Sequence, residues 1–199
     1  MILDNILTCS RCVYSWVPKG KKNPKYCPNC KSPYWNKPRK RINKESIQEN
    51  KDLIMSTHEA IISISGGEHG VRDDAGVYFS VYNMLNYIEN HFGNPISIGA
   101  YIYNEFAKKH HFNDGNKRTA HVIAKIIMLI MRCHLKIEYK DALSFIIEIA
   151  KYDSKLSLND IRKWLNKNCV IVEREDIEKY LNKVLVELVI GERNEKQSN

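Results

Sequence analysis

His110-His111-Phe112-Asn113-Asp114-Gly115-Asn116-Lys117-Arg118 packs imidazole, carboxylate, a Gly-Asn pair and two cations into nine residues. Ile98 to Lys109 before it reads as a helix, and Arg118 to Met131 after it reads as a long apolar one. The polar stretch is therefore a tight loop between helices, ending at a helix N-terminus. Such an end offers unpaired backbone N–H groups and a positive dipole end, which together bind phosphate. A base, a carboxylate able to hold a metal and a phosphate cradle in one loop point to nucleotide chemistry.

Working outward, the segments around the loop are almost all helical. Periodicity predicts helices over Lys44–Ile64, Val77–His91, Asp141–Tyr152, Ser157–Asn168 and Glu173–Glu192, the last with a frayed tail over 193–199. Ser97 and Asp141 are capping candidates, and Leu135–Tyr139 is a short strand candidate. The helix after the loop is apolar nearly all round and should be the buried core helix. The stripe Ile177, Leu181, Val184, Leu185 and Leu188 reads as core. Cys133 and Cys169 are expected to be free core thiols. The fold class is mainly α, a helical domain over 45–199 behind a small β module.

That module is set apart by charge. Residues 1–44 hold eleven of the 31 Lys and Arg residues and a single acid, Asp4, for a net +10; the remainder nets −2. The asymmetry marks a boundary and implies a polyanionic partner for the head, either nucleic acid or an acidic surface. Cys9-x-x-Cys12 and Cys27-x-x-Cys30 present four thiolates at spacing that suits tetrahedral zinc. About 40 residues bury too little surface to fold alone, so a staple is needed. Two disulfides would satisfy the same pattern. No leader or membrane-spanning run is visible, and the cytoplasmic location expected on that ground argues for metal. The head, residues 1–36, resembles a rubredoxin-like zinc ribbon, with Val13 and Lys31 where glycine often follows each knuckle. Tyr14, Trp16, Tyr26, Tyr34 and Trp35 read first as the ribbon's small core, and otherwise as stacking platforms between phosphate-binding lysines. Residues 37–44 read as a basic linker.

At His110 to Arg118 the chain resembles the Fic/Doc family, whose motif runs H-x-F-x-D/E-G/A-N-K/G-R. A second segment, His58-Glu59-Ala60-Ile61 followed by Gly66-Gly67-Glu68-His69-Gly70-Val71-Arg72-Asp73, is similar to the HxAI…GGxxGxRD stretch of the Doc (death-on-curing) branch. The resemblance covers roughly residues 50–170 and departs from the common pattern at Lys109 and His111. It implies a Fic/Doc-like helical bundle and a nucleotide-dependent transferase. His110 would be the general base, Asp114 the Mg²⁺ ligand, Gly115, Asn116 and Lys117 the phosphate-binding turn, and Arg118 a further phosphate clamp, with ATP as substrate. Lys117, where AMP-transferring members have Gly, implies phosphoryl transfer by a toxin of a toxin–antitoxin pair, onto a hydroxyl of a translation-factor-class protein. Gly115 lies closer to the AMP-transferring pattern. Gly67, Gly70, Arg72 and Asp73 form a loop that docks the target or is simply shaped by ion pairing. His58 fits a core histidine as well as a functional one. No S/T-x-x-x-E-G/N inhibitory helix is present: Glu45 and Leu85 stand where Ser or Thr would precede Glu49-Asn50 and Glu89-Asn90. Restraint is therefore expected from a separate antitoxin. The competing reading is a nucleic-acid-binding ribbon on an inactive scaffold.

Overall fold

The computed structural model describes residues 6–18, 24–37 and 42–190. Half of the expected linker, residues 38–41, and the tail from 191 onward lie outside them. The chain divides into two compact units, Met1–Arg41 and Ile42–Asn199.

Among its described residues the first unit carries one antiparallel pair, β1 (Leu7–Thr8) and β2 (Ser15–Trp16). Its core is Cys9, Cys27 and Trp35, with Trp16 edge-on to Trp35 at 5.0 Å. The tryptophans thus serve the core, as expected, whereas Tyr14, Tyr26 and Tyr34 are exposed.

The second unit is mainly helical. α1 (Lys44–Ser65) starts at Asn43, whose side chain accepts from Ser46 N, and turns Ile47, Ile54, His58, Ile61 and Ile62 inward at helical spacing. α2 (Asp74–Asn90) is capped by Asp73 and begins three residues before its predicted start. α3 (Pro95–Ile102) is capped by Asn94, with Pro95 in the first turn. Ser97, the expected cap, is instead the residue whose N–H Asn94 receives, and is buried. Gly99 lets α4 approach closely, since a Cβ there would meet Met128 Sδ at 2.2 Å. α3 runs into a π-helical turn, Tyr103–Ala107, with Tyr103, Glu105, Phe106 and Ala107 buried.

α4 (Asn116–Ile130) is the core helix the pattern required, although its buried residues include His121 and Lys125. α5 (Tyr139–Ala150) starts after Glu138, ahead of Asp141, and has no side-chain cap. α6 (Leu158–Asn168) opens with a Ser157–Asp160 capping box. The expected strand at 135–139 lies earlier, as β3 (Cys133–Leu135), because its pairing with β4 (Cys169–Ile171) fixes the register. A disulfide joins Cys133 to Cys169. The expectation of free thiols fails because the chain, at a sequence separation of 36, returns the second cysteine beside the first. α7 (Ile177–Ile190) packs on α4 and α1 and buries Val184. Among the described residues no helix is long and apolar enough to cross a membrane.

Candidate active site

The loop 110–115 is closed by one side chain. The Asn116 amide accepts from Phe112 N and donates to Phe112 O, each at 2.9 Å. Phe112 turns inward, 1% exposed, and stacks on the His58 ring at 3.8 Å. His58, fully buried, meets Thr119 Oγ at 3.1 Å, and burial holds its imidazole below the ordinary range. Gly115 has φ +71°, and a Cβ there would stand 2.7 Å from Ile62 and 3.3 Å from His58. Only glycine fits both the left-handed turn and the approach to α1.

The glycine-rich stretch after α1 runs along the other edge of this loop. Val71 bridges Phe112 as an isolated antiparallel pair. The His111 carbonyl accepts from Arg72 N at 2.8 Å and Asp73 N at 3.1 Å, and Asn113 N donates to Gly70 O at 3.1 Å. The Asn113 amide donates to His69 O at 3.0 Å. A Cβ on Gly67 would lie 2.4 Å from Asp114 Oδ2, and one on Gly70 2.9 Å from Asn113 Nδ2. The two motif segments, about 40 residues apart in sequence, form one ledge. Asp73 is spent on capping α2, while Arg72 is exposed.

Above this base stand the polar groups. His110 is exposed and has φ +49°. α4 has no side-chain cap, so the N–H groups of Asn116, Lys117 and Arg118 are left for an external acceptor. Asp114 Oδ1 takes the Gly115 N–H at 2.5 Å, and Oδ2 lies 3.2 Å from Arg118 Nη2. The Gly115 N–H first, and the Arg118 guanidinium next among the lowering influences, hold this carboxyl below the usual carboxylate range, so it is ionised at neutral pH. Arg118 also donates to Gly66 O at 2.8 Å and to Ser65 Oγ. An ionised, half-exposed carboxylate beside unpaired N–H groups and two cations can hold a hard divalent ion and a polyphosphate together.

Residues 40–128 match the Fic/DOC family. The match takes in α1, the glycine-rich ledge, the closed loop and most of α4, and so both motif segments that carry the resemblance. No curated protein matches the chain. Members of the Fic/DOC family are nucleotide-dependent transferases, which agrees with the anion-binding character of the turn.

Sequence reading gave Asn116 to the phosphate turn; its side-chain amide instead braces the loop through Phe112. Ser65, Thr119, Ser80 and Glu105 were missed. Ser65, Thr119 and Ser80 have no local pattern, because each acts on a partner at least 25 residues away, whereas Glu105 also pairs locally with Lys109 at i,i+4.

In the first unit the four cysteine sulfurs lie within 4.8 Å of one another, with Cys9–Cys30 at 3.8 Å and Cys12–Cys27 at 3.7 Å. Thiolates at 2.3 Å around a tetrahedral ion stand about 3.8 Å apart, so the set fits zinc. The knuckles are alike: Val13 N donates to Cys9 O and Lys31 N to Cys27 O, with Val13 at φ +61° and Lys31 at +58°. The Tyr14 backbone N–H leads in lowering the Cys12 thiol, while burial and then the neighbouring sulfurs raise that of Cys30, so the close-set thiols titrate as a coupled group.

Proposed function

We propose that the chain is a Doc-like toxin that transfers the γ-phosphoryl group of ATP to a hydroxyl of a cytoplasmic protein of the translation-factor class, under restraint by a separate antitoxin. Lys117, at the head of an uncapped helix beside exposed His110, is the observation that carries this reading. The attacking hydroxyl forms a bond to the γ-phosphorus, the bond to the bridging β–γ oxygen breaks, and ADP leaves. His110 takes the proton of the hydroxyl, a task for which an exposed imidazole is suited. The N–H groups of Asn116 to Arg118 and the Lys117 ammonium hold the polyphosphate. Arg118 exchanges its Gly66 and Ser65 partners for phosphate oxygens. Asp114 would hold Mg²⁺, which neutralises phosphate charge. Val71–Asp73, already paired along the loop, present Arg72 to the target segment.

Gly115 supports a second reading, AMP transfer, in which the α-phosphorus is attacked and pyrophosphate leaves. Purified protein incubated in cell lysate with γ-³²P- or α-³²P-ATP separates them. Label from the γ position alone marks phosphoryl transfer, and label from the α position marks AMP transfer. No labelled band, or equal labelling by His110→Ala, overturns both.

The Cys₄ unit is proposed to hold structural zinc and to steer the enzyme to nucleic acid. Arg11 and Lys37 lie 5.8 and 6.0 Å from the exposed Tyr34 ring, a cationic and stacking surface suited to single strands. Gel shifts of the full chain should weaken linearly in log salt; a flat response removes nucleic acid as partner.

A further inference from the structure

Ser80, Glu105 and His111 form a buried hydrogen-bond chain that the transfer chemistry above leaves unused. They are 0%, 4% and 3% exposed. They come from α2, the π turn and the loop. The Ser80 hydroxyl donates to Glu105 Oε1 at 2.7 Å and lies 2.8 Å from His111 Nε2. A hydroxyl has one proton. With that proton on the carboxylate, Ser80 Oγ must accept from His111 Nε2–H. This fixes the imidazole tautomer and leaves Nδ1, which is buried without a hydrogen-bond partner, bare. The same Glu105 oxygen pairs with Lys109 Nζ.

Both chain neighbours of His110 are thus fastened to one buried carboxylate, Lys109 directly and His111 through Ser80. Between them His110 has φ +49°. A non-glycine residue there is strained and persists only where its surroundings over-determine it. The Arg72 and Asp73 N–H groups on the His111 carbonyl add a third tie.

We propose that Glu105, acting through Lys109 and through Ser80–His111, is the positioning group that holds the His110 backbone left-handed and so sets where its imidazole stands. This rests on the reading of His110 as the base. It also accounts for His111 and Lys109, the two places where the motif departs from the common pattern: both are the residues that reach Glu105. Burial first, and the Lys109 charge next, keep the His111 imidazole below its ordinary range, hence neutral with a single proton to donate.

The test uses the full chain with Ser80→Ala and Glu105→Gln, and Ser157→Ala as a control for lost stability at a distant helix cap. Ser80→Ala should lower kcat by about tenfold or more while the KM for nucleotide stays within about twofold, because the base is misplaced and the phosphate turn is untouched. Glu105→Gln, which keeps an acceptor for Ser80, should retain more activity than Glu105→Ala. The His110 backbone and imidazole NMR signals should shift in Ser80→Ala and stay in Ser157→Ala. A folded Ser80→Ala protein with native kcat and native His110 signals overturns the proposal. If the wild-type chain transfers no label, the transferase reading fails, and the His110 signals still decide the positioning role: shifted supports it, unchanged overturns it. If Ser80→Ala does not fold, Glu105→Ala, which removes the acceptor for both Ser80 and Lys109, is read by the same two criteria.

Discussion

The Cys₄ unit and the helical unit solve the same problem by opposite means. The helical unit buries large side chains such as Tyr103, Phe106, Phe112 and Met128 around α4, and its stability is spread over many contacts. The Cys₄ unit buries two cysteines and Trp35, far too little to offset chain entropy. Four sulfurs converging within 4.8 Å stand where a core would be. Stability in one is therefore distributed, and in the other concentrated at a point.

The largest expected effect follows from that concentration. Structural zinc supplies about 10–16 kcal/mol in modules of this kind, more than the whole stability of so small a fold. Chelation, or Cys9→Ser, should unfold residues 6–37 completely and leave the melting of the helical unit where it was. Metal analysis of the purified chain should give one zinc per chain, and NMR dispersion from the first unit should vanish on chelation. Signals that persist after complete metal removal would break the contrast.

The helical unit should lose stability in portions. Phe112→Ala removes a fully buried ring stacked on His58 and should cost about 3–5 kcal/mol in urea unfolding, with the zinc content unchanged. The same ring carries the loop, so label transfer should fall with it. A loss below about 1 kcal/mol would mean that the His58–Phe112 stack does not hold the loop.

What could be read from sequence divides along a related line. The nine residues from His110 to Arg118 were legible because they are contiguous, and α4 because its apolar pattern fills a core. The cysteine pairs were legible because metal ligands need fixed spacing. The π turn was not, since an extra residue in a helix has no signature in apolar periodicity. Asn94 was passed over for Ser97, two good caps three residues apart, and only the backbone decides which is outside the helix. The Ser80–Glu105–His111 chain and the Cys133–Cys169 bond join segments that only the tertiary fold brings together, so no local pattern announces them.

Acid should separate the units again, by a smaller amount. Burial holds His58, His111 and His121 below the ordinary imidazole range, His121 to about 3. A folded value below the unfolded one, about 6.5, means the unfolded chain takes up the proton first. The stability is whole above about pH 6.5 and drains as pH falls toward the folded values, at about 1.4 kcal/mol per pH unit for each site. For His121 that window runs from about 6.5 to about 3. Urea midpoints should drop steadily from pH 7 to 5, and His121→Gln should flatten the slope by one site's share. In the Cys₄ unit protons compete with metal for thiolates, so its loss should be a single step coincident with zinc release. A helical unit equally stable at pH 7 and 5 would remove the buried histidines from this account.

The smallest effect bears on why the units tolerate strain differently. In the helical unit the left-handed positions around the loop are mostly glycine: Gly66, Gly67, Gly70 and Gly115. His110 is the exception there, and it is tied on both sides. In the Cys₄ unit the equivalent positions after the knuckles are Val13 and Lys31, at φ +61° and +58°. A β-branched residue is poorly suited to that region, and Val13 is 79% exposed, so no packing compensates. What holds it is the knuckle itself, with Val13 N on Cys9 O at 2.9 Å, clamped by sulfurs that converge on one point. On the zinc proposal, strain there is carried by metal binding. Val13→Gly should release about 1 kcal/mol, and since folding and zinc binding are one event in such a module, zinc affinity should rise roughly fivefold in chelator competition. The melting of the helical unit should not move. An affinity that is unchanged or lower would mean that the unfolded chain gains as much freedom from glycine as the knuckle gains relief, and that the metal clamp holds this turn at no net cost.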